Sequence, residues 1–211
     1  MALDQLMPVI IGIGGGTGSG KTTLARAIVA RYATVGVALL EQDSYYRDQS
    51  HLSLADRESV NYDEPSAIDH DLLLEQLREL LEGRSIMKPA YCFTSHARTG
   101  EGKSVASQPM VVVEGLFALW EPRIRGLMAL KIYVDADPDI RFIRRLQRDV
   151  ITRGRSVQSV VEQYLQTVRP MHQRYVEPTR QYADIVVNNE DGSETSAWME
   201  QALTRVERLI V

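Results

Sequence analysis

The sequence predicts a three-layer α/β/α fold built on a five-stranded parallel sheet. Short apolar runs alternate with helix-length amphipathic stretches, as in a sheet covered by helices on both faces. The runs lie at residues 9–13, 37–41, 110–115, 130–135 and 184–188. A glycine-rich segment leads from the first run into a helix, which is the order of a phosphate-binding strand–loop–helix unit. Residues 86–108 break the alternation and predict a β-hairpin inserted before the third strand.

Composition narrows the class of protein. The chain has 211 residues, 44% of them hydrophobic, and a net charge of −4, which argues against a nucleic-acid-binding protein. Cys92 is the only cysteine, which excludes an internal disulfide and fits a reducing cytoplasm. The N-terminus lacks the basic start and apolar run of an export signal, and no run approaches the ~20 residues of a membrane helix. We expect one cytoplasmic domain over 1–211, with no membrane segment.

The first strand leads into the phosphate-loop pattern G-x-x-x-x-G-K-[ST]. Residues 15–22 read GGTGSGKT and precede the helical stretch KTTLARAIVARYA. In such a loop the backbone N–H groups form an anion nest, Lys21 reaches the β- and γ-phosphates, and the Thr22 hydroxyl binds Mg²⁺. The pattern predicts a P-loop NTPase-like fold, but it does not name a reaction. The expected nucleotide-binding residues are Gly15, Gly16, Thr17, Gly18, Ser19, Gly20, Lys21, Thr22 and Thr23.

Two acids follow strands at the same edge of the sheet. Glu114 ends the third run, where it is either a second Mg²⁺ ligand or an ordinary strand-end carboxylate at the solvent boundary. Asp43 follows the second run, where it is either a general base for an attacking hydroxyl or a turn cap paired with Ser44. Gly115 permits close backbone approach beside Glu114, which favours the metal-binding interpretation.

Helix ends and faces are also indicated. Asp69 is expected to cap a helix that Gly83 ends, with one apolar face made by Leu73, Leu77, Leu80 and Leu81. Asp137 followed by Pro138 opens a second helix. We expect its apolar side to be Ile143, Leu146 and Val150, with Arg141, Arg145 and Arg148 on a different side. Residues 196–211 predict a third amphipathic helix with Ala202, Val206 and Leu209 inward.

Arginines are dense in the segment RRLQRDVITRGRS, residues 144–156. They are either an exposed helical face paired with Asp149 or a mobile lid over about 144–160 that closes on the transferring phosphoryl group. Gly154 supplies a bend between Arg153 and Arg155. In the hairpin segment, His96 beside Tyr91 and Phe93 is compatible with packing or with ligand recognition.

Six motifs, in order, resemble those of the uridine kinase (uridine–cytidine kinase) family within the wider phosphoribulokinase/uridine kinase group. The resemblance runs from about residue 8 to 188. It rests on GGTGSGKTT, QDSYYRDQSHLS, NYDEPSAIDHDLL, PAYCFTSHAR, VVVEGLFAL and RRLQRDVITRGRSVQSVVEQYLQTVRPMHQRYVEPTRQYADIVV.

The resemblance implies Mg²⁺-dependent transfer of the γ-phosphoryl of ATP or GTP to the 5′-hydroxyl of uridine or cytidine, as in pyrimidine salvage. It implies that Asp43 is the general base, that Asp63 holds the ribose hydroxyls, and that the chain assembles as a homotetramer. It also assigns Arg145 and Gln163 to the nucleoside. It further assigns the lid to Arg148, Arg153 and Arg155.

The same resemblance assigns a base pocket to the aromatic residues and one histidine. These residues are Tyr62, Tyr91, Phe93 and His96, with Tyr46 of QDSYYRDQ also among the nucleoside-binding residues. Uracil presents an acceptor at position 4 and cytosine presents a donor, and an imidazole serves either according to its tautomer or charge. We therefore expect His96 to allow both bases.

Three departures from the family pattern stand out. Thr17-Gly18 replaces a common Ser-Ala and still suits a phosphate cradle, whereas Cys92 stands where relatives carry a polar or acidic residue. NNEDGSE at 188–194 replaces a turn like Pro-Arg-Gly-Gly near the donor's purine, which leaves the ATP-versus-GTP preference open.

Two other functions compete with this interpretation. Another small-molecule kinase, such as a phosphoribulokinase-like or pantothenate kinase-like enzyme, is disfavoured because YCFTSHAR suits a flat heterocycle better than a sugar phosphate or a pantoyl chain. A nucleotide-dependent switch is disfavoured because the Asn-Lys-x-Asp pattern of guanine recognition is absent from the sequence.

Overall fold

A computed structural model of the chain describes residues 7–190 and 197–209. Its main sheet has five parallel strands in the order β2-β5-β1-β6-β7. These are the five strands expected from the sequence. In chain order the strands are β1 (Val9–Gly15), β2 (Val37–Glu41), β3 (Ile86–Cys92), β4 (Ala97–Val105), β5 (Met110–Glu114), β6 (Met128–Asp135) and β7 (Ile185–Asn188).

The helices connect the strands and cover both faces of the sheet. They are α1 (Lys21–Arg31), α2 (Leu54–Ser59), α3 (His70–Leu81), α4 (Pro122–Arg125), α5 (Pro138–Arg153), α6 (Val157–Gln163), α7 (Arg169–Met171) and α8 (Ala197–Glu207). Two π-helical segments, Tyr164–Val168 and His172–Val176, flank α7 and merge it with its neighbours. No helix of the described ranges is long and apolar enough to cross a membrane.

The central strands bury side chains on both faces. In β1, Ile10 packs into the layer that contains α3, whereas Ile11 and Ile13 pack into the opposite layer with Leu24 of α1 and Trp198 of α8. Successive side chains of a strand point to opposite faces, so a strand covered on both sides is apolar throughout. This is why the strands appear in the sequence as continuous apolar runs.

The predicted ends of α3 agree with the structure, whereas the predicted start of α5 agrees only in position. The Asp69 carboxylate accepts a hydrogen bond from the Leu72 N–H at 3.3 Å, and Gly83 takes the left-handed backbone conformation (φ +78°) that ends α3. Asp137 occupies the N-cap of α5, but its side chain makes no capping hydrogen bond there. The predicted start of α5 is confirmed, and the capping role that an aspartate before proline suggests is not fulfilled by the Asp137 side chain.

The inner face of α5 is charged, which corrects the predicted apolar face. Arg141, Arg145 and Asp149 are buried, at successive spacings of four, whereas Ile143 is 48% exposed. Arg141 Nε donates to the Ala136 carbonyl at 2.9 Å, and Arg145 reaches the phosphate loop. The face turns inward because it meets polar backbone rather than the apolar core, and these hydrogen bonds offset the cost of burying charge.

The predicted hairpin is present as a separate two-stranded antiparallel sheet, β3 and β4. Lys88 of β3 forms an ion pair with Glu41 at the end of β2. Arg98 of β4 donates to the Tyr46 carbonyl at 2.9 Å and to Asp69 Oδ2 at 3.1 Å. These contacts fix the hairpin beside the carboxyl edge of the main sheet.

The C-terminal helix buries Ala202 and Val206 and packs Leu209 against the core, as predicted. Most of the NNEDGSE turn, residues 191–194, and the extremes of the predicted helix at 196 and 210–211 lie outside the described residues.

Candidate active site

The phosphate loop joins β1 to α1 and requires glycine at specific positions. Gly18 has φ +75°, and a Cβ added there would lie 2.3 Å from the Arg141 carbonyl oxygen. Gly15 has φ +143°, and its added Cβ would lie 2.3 Å from the Val134 carbonyl oxygen. Only glycine satisfies both the backbone conformation and the close approach. The loop therefore sits tightly between β6 and α5, with α1 starting at Lys21.

A cavity of about 620 Å³ opens beside this loop at the carboxyl edge of the sheet. It brings together six parts of the chain that are distant in sequence: the phosphate loop with the start of α1, the end of β2, the hairpin, the end of β5, α5, and Asn189 after β7. Its lining residues are Gly18, Gly20, Lys21, Thr22, Thr23, Arg26, Glu41, Asp43, Ser44, Tyr91, Phe93, Glu114, Arg144, Arg148, Arg153 and Asn189.

Lys21 and Glu114 face each other in this cavity. Burial lowers the pKa of Lys21, and the carboxylates of Glu114 and Asp43 oppose that shift. Burial raises the pKa of Glu114, and the Lys21 ammonium opposes that shift. Each charge therefore stabilises the other where water is scarce. An incoming phosphate would add a second partner for Lys21.

Thr22 and Glu114 together suit a hard cation. The Thr22 hydroxyl donates to Glu114 Oε1 at 3.0 Å, so two oxygen ligands lie side by side. Mg²⁺ binds through one or two such groups plus waters and phosphate oxygens, rather than in an all-protein cage. In keeping with this, the described residues hold no cluster of three or more His, Cys, Asp or Glu side chains that could bind a metal alone.

The hairpin and the segment after β2 build an aromatic wall. Tyr46 lies at its centre, with ring centroids 5.5 Å from Tyr62, 5.2 Å from Tyr91 and 6.3 Å from Phe93. The Tyr46 hydroxyl donates to the Tyr62 carbonyl at 3.3 Å, and the side chain is buried. Tyr46 is not among the residues that line the described cavity, so it supports the wall from within. Tyr91 and Phe93 present the wall to the cavity.

His96 stacks on Tyr62 with ring centroids 5.0 Å apart and an interplanar angle of 24°. Its backbone has φ +49°, a left-handed conformation that is uncommon for any residue other than glycine. Strain of this kind persists where surrounding contacts impose it, and it is concentrated at functional sites. The imidazole is thereby fixed at the turn of the hairpin.

Asp63, Arg145, Arg155 and Gln163 form a polar group beside the cavity. Gln163 Oε1 accepts from Arg145 Nη2 at 2.9 Å and from Arg155 Nη1 at 2.6 Å. Asp63 Oδ2 accepts from the Thr167 hydroxyl at 3.0 Å. Burial raises the pKa of Asp63, and Arg145 opposes the shift. The structure thus gathers residues from two of the motifs that are well separated in the sequence.

Three more residues belong to the site but were not assigned to it individually from the sequence. Asn189 Nδ2 donates to the Ser19 carbonyl at 2.8 Å, and Arg144 donates to the Asn189 carbonyl at 2.9 Å and to the Glu190 carbonyl at 3.0 Å. Arg141 lies against Gly16 of the phosphate loop. Arg144 belongs to the arginine segment and Asn189 to the NNEDGSE turn, both noted above, but only the fold shows that they meet the phosphate loop.

A buried histidine supports the phosphate loop from outside the cavity. His172 Nε2 lies 3.2 Å from Arg141 Nη2 and 3.3 Å from Glu177 Oε2. A Cβ added at Gly16 would lie 3.1 Å from the His172 ring. Burial, together with the nearby Arg141 charge, lowers the pKa of His172 to about 4. The ring is therefore neutral at physiological pH.

This pKa predicts loss of stability in acid. A lowered histidine pKa stabilises the fold above the unfolded value of 6.5, and that contribution is lost as pH falls towards about 4, with a total of about 3 kcal/mol. We expect the free energy of unfolding in urea to fall between about pH 7 and pH 5, with about 2 kcal/mol of the drop due to His172. His172→Gln should remove that part of the drop, whereas the exposed His51→Gln should not. Equal pH slopes in wild type and His172→Gln would show that this assignment is wrong.

Comparison with known proteins places this arrangement among kinases. Residues 10–196 match the Phosphoribulokinase / Uridine kinase family. The chain is 51% identical to the uridine kinase of Clostridium perfringens (strain ATCC 13124) over 180 residues, covering 85% of this chain and 86% of the relative. It is 45% identical to the uridine kinase of Ligilactobacillus salivarius over 210 residues, covering 100% and 98%.

Solved structures share the fold at low sequence identity. Phosphoribulokinase from Rhodobacter spheroides superposes with a TM-score of 0.61 at 21% identity, covering 92% of this chain and 76% of that one. D-glycerate 3-kinase from Cryptococcus neoformans superposes with a TM-score of 0.63 at 16% identity, covering 86% of each. Both likenesses support a P-loop kinase fold.

Proposed function

Since the chain belongs to the Phosphoribulokinase / Uridine kinase family and is a phosphotransferase, we propose that it phosphorylates the 5′-hydroxyl of uridine and cytidine. The donor in this proposal is ATP or GTP, and the products are UMP and CMP. One observation carries it: Tyr91 and Phe93 of the aromatic wall line the same cavity as Lys21 of the phosphate loop, with Asp43 in the same lining. A flat base and a triphosphate therefore share one chamber.

In this mechanism the chain positions two substrates and handles one proton. Asp43 accepts the proton of the 5′-hydroxyl as that oxygen attacks the γ-phosphorus, while the bond from the γ-phosphorus to the β–γ bridging oxygen breaks and the nucleoside diphosphate leaves. Lys21 and the arginines Arg148 and Arg153 neutralise charge on the transferring group. Thr22 and Glu114 would hold Mg²⁺, which would supply neutralisation of the negative charge on the triphosphate.

The nucleoside is held at both ends. Asp63 accepts hydrogen bonds from the ribose hydroxyls, and Arg145 with Gln163 completes that side. His96, fixed against Tyr62, faces position 4 of the base and donates to uracil or accepts from cytosine. The support is the stacking of the partly buried imidazole on Tyr62 at a centroid distance of 5.0 Å, which favours one ring orientation.

The direct test is Mg²⁺-dependent monophosphate formation from ATP and from GTP. Uridine, cytidine, ribulose 5-phosphate and no acceptor are run in parallel. UMP and CMP formation supports the proposal. Product from ribulose 5-phosphate alone would favour another kinase of the family, and acceptor-independent hydrolysis alone would favour a nucleotide-dependent switch.

Replacement of His96 separates recognition from folding. Glycine suits φ +49° better than histidine, so His96→Gly should leave the melting temperature close to wild type or above it. We expect KM for uridine and for cytidine to rise about tenfold, the loss of about 1.4 kcal/mol of binding. His96→Asn is the matched control, because asparagine tolerates the same backbone and keeps a donor and an acceptor. Unchanged KM values in His96→Gly would remove His96 from the pocket.

Further proposals are a single kinase domain over 1–211 and a cytoplasmic location, which rest on length and composition, and a homotetramer and a role in pyrimidine salvage, which rest on the family resemblance. Light scattering at several protein concentrations tests the tetramer. Direct binding assays with oligonucleotides test the expected absence of nucleic-acid binding, for which the net charge of −4 is the support.

A further inference from the structure

A single fully buried carboxylate lies at the centre of the arginine cluster. Asp149 has no exposed side-chain surface and lies within 4 Å of four guanidinium groups. Its Oδ1 is 2.8 Å from Arg148 Nη2 and 3.4 Å from Arg153 Nη1. Its Oδ2 is 3.6 Å from Arg145 Nε and 3.8 Å from Arg155 Nη1.

The backbone of Asp149 organises the same region. Its carbonyl accepts from the Arg155 N–H at 3.1 Å, where α5 ends at Gly154 with φ +65°. A carboxylate near the C-terminal end of a helix opposes the helix dipole, so local helix energetics do not favour it there. Its environment of guanidinium groups supplies the compensation.

The four arginines divide into two pairs by their other contacts. Arg145 and Arg155 both bind Gln163, and their side chains are 8% and 29% exposed. Arg148 and Arg153 line the cavity beside the phosphate loop and are 40% and 41% exposed. Asp149 therefore connects a fixed pair on the nucleoside side to an accessible pair on the phosphate side.

Charge balance explains why such a connection is needed. Four guanidinium groups around one carboxylate leave an excess of three positive charges, and like charges at this spacing repel one another strongly where water is scarce. Without the carboxylate, the accessible pair would move apart into solvent. With it, the pair stays near the position of the transferring phosphoryl group, and the excess charge remains available to a phosphate.

We propose that Asp149 is a positioning residue for phosphoryl transfer, which holds Arg148 and Arg153 at the cavity by pairing with them before and during the reaction. The proposal rests on the proposed kinase function, but not on the identity of the acceptor. Asp149 itself touches neither substrate in this mechanism and acts through the arginines alone.

The test is a double-mutant cycle on turnover. Asp149→Asn keeps the size of the side chain and removes its charge, and we expect kcat to fall about 10- to 100-fold with KM values within about threefold of wild type. Arg153→Gln should lower kcat by a similar factor. If Asp149 acts through Arg153, the double variant should lose little more than the worse single variant. Asp139→Asn, an exposed acid at the other end of α5, is the matched control and should leave kcat unchanged.

Two outcomes overturn the proposal. Wild-type kcat in Asp149→Asn would show that Asp149 does not act through the arginines, and a double variant whose loss equals the product of the two single losses would show that it does not act through Arg153. If Asp149→Asn does not fold, Asp149→Glu replaces it in the test, because glutamate keeps the charge but displaces it. The double-mutant cycle of Asp149→Glu with Arg153→Gln then decides whether Asp149 acts through Arg153. Wild type inactive on uridine would refute the proposed function alone, because the cycle can then be run with any acceptor it phosphorylates or on triphosphate hydrolysis.

Discussion

Asp43→Asn is expected to lower kcat for uridine by about 10²- to 10⁴-fold, the usual range for loss of a general base. Asparagine has the same size and still accepts a hydrogen bond, so KM for uridine should change little. The measurement is initial rate at saturating nucleoside and triphosphate with excess Mg²⁺. A loss at the lower end of the range would indicate that Asp43 mainly orients the hydroxyl, because in a loose transition state the proton leaves late.

The control for Asp43→Asn is the same kind of substitution at an acidic residue outside the cavity. Glu75 is exposed on α3, and Glu75→Gln removes the same charge without touching the site. Its turnover should match wild type. Turnover of Asp43→Asn equal to that of Glu75→Gln would remove Asp43 from the catalytic residues.

Lys21→Met is expected to lower kcat/KM for the triphosphate by about 10³-fold or more, because a buried cation facing the transferring group acts where dielectric screening is weak. Methionine keeps much of the length and apolar character of the stem, so the loop should remain folded. Stability should not fall with activity, because burial disfavours the Lys21 charge in the free protein, as its lowered pKa indicates. Thermal melting and steady-state kinetics on the same preparation check both statements.

Lys103→Met on β4 is the control, since Lys103 is exposed. The substitution removes the same charge from a residue that is not part of the cavity lining. If Lys21→Met and Lys103→Met both keep the wild-type kcat/KM for the triphosphate, the phosphate loop does not bind the phosphate that reacts.

The parts of the site that depend on contiguous residues could be predicted from the sequence. The phosphate loop is one such part, because its conformation follows from glycines at fixed spacing between a strand and a helix. Asp43 and Glu114 share a cavity because each follows a parallel strand of the same sheet, and such strand ends meet at one edge.

The other parts of the site could not be predicted from the sequence, because they depend on which elements pack against each other in the fold. Periodicity assigned Ile143 to the inner face of α5, but the helix packs on the phosphate loop, so its cations are buried instead. Asn189 reaches Ser19 across 170 residues of sequence, a contact that no local pattern encodes. The family resemblance placed Tyr46 with the nucleoside, whereas the structure buries it inside the wall.

The contact between hairpin and α5 sets how readily substrates enter and leave. The Arg153 guanidinium lies 5.5 Å from the centre of the Phe93 ring, so the two elements meet across the mouth of the cavity. A partly exposed cation–π contact contributes about 0.5–1 kcal/mol. A contact this weak breaks by thermal motion alone, so we expect the hairpin and α5 to be separated for a substantial fraction of the time. We therefore expect a bound phosphate that pairs with Arg153 to hold the two elements together, and the nucleoside to dissociate faster when no phosphate is bound.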